Sequence, residues 1–289
     1  MKVSVAASTR DVLGEGPVHD VADGSLRWVD IGRALWHRLD LATGEVTTQG
    51  VEPALTGFAP TDGGDYVGAY VAGIARLDAQ GRRGDWLAQP EAGITTNRFN
   101  DAGTDLAGRF IAGTMNMVDG APTGALYSFA GGDLSVLRSG IGIANTITFS
   151  PEGDRLYTAD SATGDLAAYA YDLRTGRMGE RIDSFRPDTD LPGTPDGSAM
   201  DAEGCLWNAR WDGGCVVRLA PDGRTLAVID LPLRLPTSCC FVDRSLYVTT
   251  STWDYSELDL QAQPMAGHLL CIDVDIAGHP RTAFATGRE

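Results

Sequence analysis

Apolar and aromatic residues in this chain come in short runs, and almost every run is closed by a turn dipeptide. SLRWVDI (25–31), RLYTADS (155–161), CLWNARW (205–211) and SLYVTTS (245–251) are each rich in aromatic and β-branched residues. Several follow Asp-Gly, Glu-Gly or Gly-Asp pairs, the expected punctuation between strands. No long helical period interrupts them. Many short strands separated by turns predict a sandwich, a barrel or a propeller.

A repeat chooses among these. A loop leads to an apolar strand, then D-x-x-G or its like, a strand carrying an aromatic, a short turn, and a strand ending near Arg-Leu-Asp. EGPVHDVADGSLRWVDIGRALWHRLDLATGEV is one copy, and NTITFSPEGDRLYTADSATGDLAAYAYDLRTG is another. The landmarks Glu15, Asn100, Asn145, Asp196 and Thr237 mark the starts of five copies. A weaker copy at 58–77 fills the first gap. The period is roughly 40–50 residues, the spacing of four-stranded propeller blades. The predicted fold is all-β: one six-bladed β-propeller domain over residues 1–289, with a metal site in the central channel.

The metal expectation comes from what stands at the repeat starts. Glu15 in LGEGP, Asn100 and Asp101 in NRFND, Asn145 in IANTITF and Asp196 in TPDGS offer oxygen donors, with no thiolate or imidazole among them. Hard divalent cations take such donors. Taken singly, Glu15 and Asp196 also suit turns, Asn145 suits a buried amide serving the backbone, and Arg98 suits an ion pair. Asp101 and Asp160 are read as structural, bonding between blades or behind the site.

Taken together, LGEGPV, NRFNDAGTDLAGRFIAGTM, FSPEGDRLYTADS, PDGSAMDAEGCLW and LPTSCCF resemble the SMP-30/gluconolactonase/regucalcin-like family, in order and over most of the chain. The resemblance implies a six-bladed propeller with one divalent metal. It places the metal ligands on Glu15, Asn145 and Asp196, and the substrate contacts on Arg98 and Asn100. It implies a lactonase acting on a small sugar lactone in carbohydrate catabolism. The alternatives are a non-sugar lactone, ester or organophosphate as substrate, or a calcium-binding propeller without turnover. Asp196 is the candidate general base. Calcium, magnesium, manganese, zinc and iron(II) all accept this ligand set to some degree. Three departures stand out. His19 replaces the usual Trp, Thr146 replaces the usual Gly after the Asn ligand, and the loop after Met115 is short, leaving Asp119 as its acidic residue.

Charge and composition narrow the function further. The net charge of −16 opposes nucleic acid and anionic membrane surfaces, because both are bound through Lys and Arg. Lys2 is the only lysine, which removes Schiff-base, pyridoxal and P-loop chemistry from the fold. Cys205, Cys215, Cys239, Cys240 and Cys271 form no C-x-x-C pair and are expected to be reduced and mostly buried, as in cytoplasm. The opening MKVSVAASTRDVLGEG lacks a signal-peptide core, and no window approaches the roughly 20 apolar residues of a membrane span. His19, His37, His268 and His279 show no metal spacing, and there is no G-x-S-x-G elbow.

Overall fold

In the computed structural model, which describes residues 2–188 and 190–287, the aromatic runs are strands and the turn dipeptides join them. After β1 (Val3–Ala7) come β2 (Gly14–Asp20), β3 (Ser25–Asp30), β4 (Leu35–Asp40) and β5 (Val46–Gly50). The second group is β6 (Leu55–Pro60), β7 (Tyr66–Tyr70), β8 (Gly73–Leu77) and β9 (Arg83–Ala88). The third is β10 (Asn97–Thr104), β11 (Phe110–Asn116), β12 (Gly124–Ala130) and β13 (Asp133–Ile141). The fourth is β14 (Ala144–Phe149), β15 (Arg155–Asp160), β16 (Asp165–Asp172) and β17 (Arg177–Arg181). The fifth is β18 (Thr194–Met200), β19 (Leu206–Trp211), β20 (Cys215–Leu219) and β21 (Thr225–Asp230). The last has β22 (Pro236–Val242), β23 (Ser245–Thr250), a short helix α1 (Glu257–Ala262) and β24 (Leu269–Asp273).

Each group is a four-stranded sheet paired in chain order, and the last recruits β1 beside β24 as its fourth strand. These are the six blades of a β-propeller, the fold class that the repeat predicts. Within each blade the outermost strand is the least buried. In the fourth blade, β14 and β15 are almost wholly buried, whereas β17 is largely exposed. The first strands thus carry polar residues such as Asn145, Asp196 and Thr237 in buried positions, and the outermost strands carry theirs toward solvent.

By internal contacts the chain forms two compact units, Met1–Thr48 with Ser184–Pro280, and Gln49–Asp183 with Arg281–Glu289. In the first, Trp207, Val216, Cys239, Phe241 and Leu270 form one apolar cluster, and Leu26, Trp28, Cys240 and Leu269 another. Adjacent Cys239 and Cys240 thus serve opposite faces of β22, as alternation along a strand requires. All five cysteines are free thiols, four of them buried. Trp28 and Trp207 bury their rings and donate Nε1–H to Asp11 and Asp201, each at 2.9 Å. In the second unit, Phe99, Phe110, Tyr127 and Phe129 pack with Phe284 of the C-terminal segment, whose ring stacks on Phe129. Emptying such an aromatic site costs about 3–5 kcal/mol.

One irregularity recurs in all six blades. The first strand carries one residue more than its neighbour, a β-bulge, and it falls at the same place each time. The shifts lie between Glu15 and Val18, Leu55 and Gly57, Phe99 and Ala102, Asn145 and Thr148, Pro195 and Ser198, and Pro236 and Ser238. An added residue re-aims the side chains on either side of it, and bulges concentrate beside functional sites. Every sequence-predicted ligand and substrate residue lies within or beside one of these bulges.

Candidate functional site

In the unit Gln49–Asp183, the bulges of β10 and β14 join three predicted residues into one hydrogen-bonded chain. Arg98 Nη1 donates to Asn100 Oδ1 at 2.8 Å. Asn100 Nδ2 donates to Asn145 Oδ1 and to the Ala144 carbonyl, each at 2.9 Å. Asn145 Nδ2 then donates to Ser161 Oγ at 2.8 Å. Both Nδ2 hydrogens of Asn100 are consumed here, so toward a ligand it offers an Oδ1 lone pair rather than a donor. The same chain fixes the Asn145 amide with Oδ1 as its acceptor and one lone pair beyond the Asn100 bond. Ser161 was not singled out by the sequence reading. It lies in the turn after β15, and nothing in the local pattern distinguishes it from other turn serines.

Thr146, next to Asn145, is fully buried and has φ 55°, the left-handed region that costs a β-branched residue most. Asp101 holds it there. The Asp101 carboxylate accepts from the backbone N–H of Ala102 at 2.8 Å and of Ile147 at 3.2 Å, and also bonds the Thr146 N–H. Burial pushes the Asp101 carboxyl up to about 6, against the pull of the Arg281 charge and these N–H groups. Asp101 therefore ties β10 to β14, the blade-to-blade role expected of it.

In the unit containing Met1–Thr48, Glu15 stands at the bulge of β2, half-buried, and its Oε2 accepts the Gly16 N–H at 3.2 Å. Gly16 has φ 53°, which a glycine adopts at no steric cost. Asp196 is a bulged residue of β18 and is buried. Its carbonyl accepts Asn208 Nδ2 at 3.0 Å, and Asn208 also donates to Ser198 Oγ at 2.9 Å. Gly197 lets β18 approach β22 closely. A Cβ there would come within 2.5 Å of the Ser238 Cβ.

The approach to each predicted ligand is pinned from the neighbouring strand. Asp30, at the end of β3, accepts the N–H groups of Val12 and Leu13, each at 3.0 Å. Asp160, at the end of β15, accepts those of Gly142 and Ile143, again each at 3.0 Å. In both cases the pinned residues stand three and two positions before the predicted ligand, Glu15 or Asn145. Before Asp196 the polarity is inverted: buried Arg210 donates to the carbonyls of Pro192 at 2.9 Å and Gly193 at 2.8 Å. The sequence reading took Asp160 as structural and did not identify Asp30, Asn208 or Arg210. Their signal was positional, the polar residue near the end of each second strand.

His19 lies four residues further along β2 than Glu15, among the carboxylates of Asp20, Asp23 and Asp243. Burial lowers its pKa despite these charges. Asp119 is exposed, and its Oδ1 accepts the Ala121 N–H at 3.0 Å within its own loop. His37 and His268 are buried, bonding Thr48 and the Arg10 N–H respectively.

The donor chemistry fits a hard divalent ion. The predicted ligands are two carboxylates and one carboxamide whose oxygen is oriented by its neighbours. Among the described residues, no group of three or more His, Cys, Asp or Glu is placed to hold a metal.

The profile of the SMP-30/Gluconolactonase/LRE-like region matches residues 13–252. The chain is 36% identical over 279 residues to 6-deoxy-6-sulfogluconolactonase from Pseudomonas putida, covering 95% of each. It is 33% identical over 291 residues to a pentonolactonase from Haloferax volcanii, covering 97% of each. The crystal structure of a calcium-binding protein, regucalcin, from Agrobacterium tumefaciens strain C58 superposes with a TM-score of 0.90 at 30% identity, covering 98% of this chain and 97% of that one. With the profile spanning most of its length and the matched relatives full-length, the chain belongs to the SMP-30/gluconolactonase/LRE-like family.

Proposed function

We propose that this protein is a divalent-metal-dependent lactonase that opens a small sugar lactone, with Glu15, Asn145 and Asp196 as metal ligands and Arg98 and Asn100 as substrate contacts. The observation that carries the reading is the hydrogen-bonded chain Arg98–Asn100–Asn145–Ser161, because it couples both predicted substrate residues to a predicted ligand. The names of the Pseudomonas and Haloferax relatives support a sugar lactone as substrate. The free cysteines support a reducing compartment, the cytoplasm, and a role in sugar catabolism follows from the substrate class.

A divalent ion held by Glu15, Asn145 and Asp196 would supply Lewis acidity to the ester carbonyl and to the attacking water. Asp196 takes the proton of that water as its oxygen adds to the carbonyl carbon. The ring C–O bond then breaks, and the proton passes to the departing alkoxide, giving the open hydroxy acid. Arg98 presents donors to the hydroxyls or ring oxygen of the substrate, and Asn100 presents its Oδ1 acceptor. Asp101, Asp160 and Asp30 hold the backbone around these groups.

The test strips the protein with a chelator and follows proton release on a panel of aldonolactones as each metal is restored, with spontaneous opening subtracted. Metal-dependent turnover that falls at least a hundredfold in Asp196→Ala is the expected result. Metal binding without turnover of any sugar lactone would replace this reading with a non-sugar ester substrate, or with the calcium-binding role named for the Agrobacterium protein.

A further inference from the structure

A cavity of about 460 Å3 lies wholly within the unit Gln49–Asp183, lined by Val71, Gln89, Ile94, Asn97, Arg98 and Met117 among others. That volume falls in the range of small-molecule sites, about 300–1,000 Å3. Arg98 is the residue it shares with the hydrogen-bonded chain to Asn145. One wall is the segment 89–96 between β9 and β10, which has no strand of its own and is mostly exposed. Such a segment has little apolar burial to hold it in place.

Glu91 provides the hold. Its Oε1 accepts Thr114 Oγ1 at 2.8 Å and the Tyr127 hydroxyl at 2.9 Å, and its Oε2 accepts Asn97 Nδ2 at 2.9 Å. The three donors belong to β11, β12 and β10, so one carboxylate fastens the segment to three consecutive strands of a blade. Bonds to an ionised acceptor are about twice as strong as neutral ones. Asn97 is also the residue before Arg98, and its Oδ1 accepts Thr123 Oγ1 at 2.8 Å. Fixing Asn97 therefore fixes the backbone from which Arg98 extends.

We infer that this cavity is the subsite for the part of the lactone beyond the reacting ring, and that Glu91 is the positioning residue that keeps it open. The inference rests on Arg98 contacting the substrate, as proposed above. The lining is mixed, with amides from Gln89 and Asn97 and apolar surface from Val71, Ile94 and Met117. It suits an exocyclic chain of several carbons carrying few hydroxyls, rather than a bare ring.

The test measures kcat and KM along a series of γ-lactones of increasing alkyl and hydroxyalkyl chain length, for wild type, Glu91→Ala, Glu91→Gln and Ile94→Trp. Ile94 is an exposed rim residue, so its substitution fills the cavity without disturbing the core. In wild type, KM is expected to fall as the chain lengthens. In Glu91→Ala and Ile94→Trp that gain is lost, with KM of the longest member raised about tenfold and the effect residing in KM rather than kcat. Glu91→Gln, which keeps an acceptor, recovers part of it. Wild-type turnover with the same KM change at every chain length, or none, overturns the inference and leaves the lactonase reading standing. No turnover of any lactone by the metal-loaded wild type overturns both.

Discussion

Glu15 and Asn145 occupy the same point of two β-bulges, one in each compact unit, and the residue after each has nearly the same positive φ. Gly16 has φ 53° and Thr146 has φ 55°. A glycine reaches that conformation unaided. A threonine does so only where its surroundings hold it there, since the left-handed region costs a residue with a Cβ roughly 1–2 kcal/mol. At Thr146 the surroundings are visible: complete burial of the side chain, and the Asp101 carboxylate bonding the N–H groups of Thr146 and Ile147. At Gly16 the backbone N–H is bonded by the carboxylate of Glu15, its own chain neighbour. One bulge is thus built from local conformational freedom and the other from a tertiary clamp.

The comparison can be broken most directly at the clamp. Asp101→Ala leaves several backbone N–H groups without their acceptor and should lower stability by about 2–4 kcal/mol, read from denaturant midpoints. A loss below about 1 kcal/mol would mean that Thr146 is held by something other than Asp101.

The cost of this substitution should also depend on pH. The folded-state pKa of Asp101, about 6, lies above its ordinary 3.8, so the folded protein binds this proton more tightly than the unfolded chain. The stability Asp101 contributes through its proton is full below pH 3.8 and lost as the pH rises through about 6. The gap between wild type and Asp101→Ala should therefore be widest near the lower value and shrink as the pH rises. A gap that widens with pH contradicts the assignment.

Gly16→Thr copies the residue of the second bulge into the first without the clamp. It should cost about 1–2 kcal/mol. If it is neutral, the first bulge has a hidden support of its own. The smallest effect is expected of Thr146→Gly. Relief of the left-handed strain is offset by lost packing and by the greater entropy of glycine in the unfolded chain, leaving a net change within about 1 kcal/mol. A thermal melt together with metal titration would show whether the Asn145 amide also keeps its affinity.

Much of this architecture was legible in the sequence. The repeat period gave the blade count, because every blade solves the same burial problem with the same strand–turn order. Even the weak copy at 58–77 falls within the second blade. Glu15, Asn100, Asn145 and Asp196 were legible as oxygen donors at repeat starts. Less visible were the bulges, since one added residue breaks the two-residue alternation just where the site residues stand. The pairing of β1 with β24 was also hidden, because it joins the two ends of the chain and leaves no local pattern. Asp30, Asn208, Arg210 and Glu91 escaped notice for a related reason. Each looks like an ordinary polar residue until its partners, distant in sequence, are known.

The sequence by itself determined the strand pattern, the six-fold repeat, the family and the oxygen-donor chemistry, because these depend on residue type and spacing along the chain. Tertiary structure alone decided which hydrogen-bonding capacity of those residues is left for a ligand. By residue type Asn100 offers both an amide donor and an acceptor, yet both of its amide hydrogens are spent on Ala144 and Asn145. A side chain's chemistry is written in its residue type, but how much of it remains available depends on the neighbours that folding brings against it.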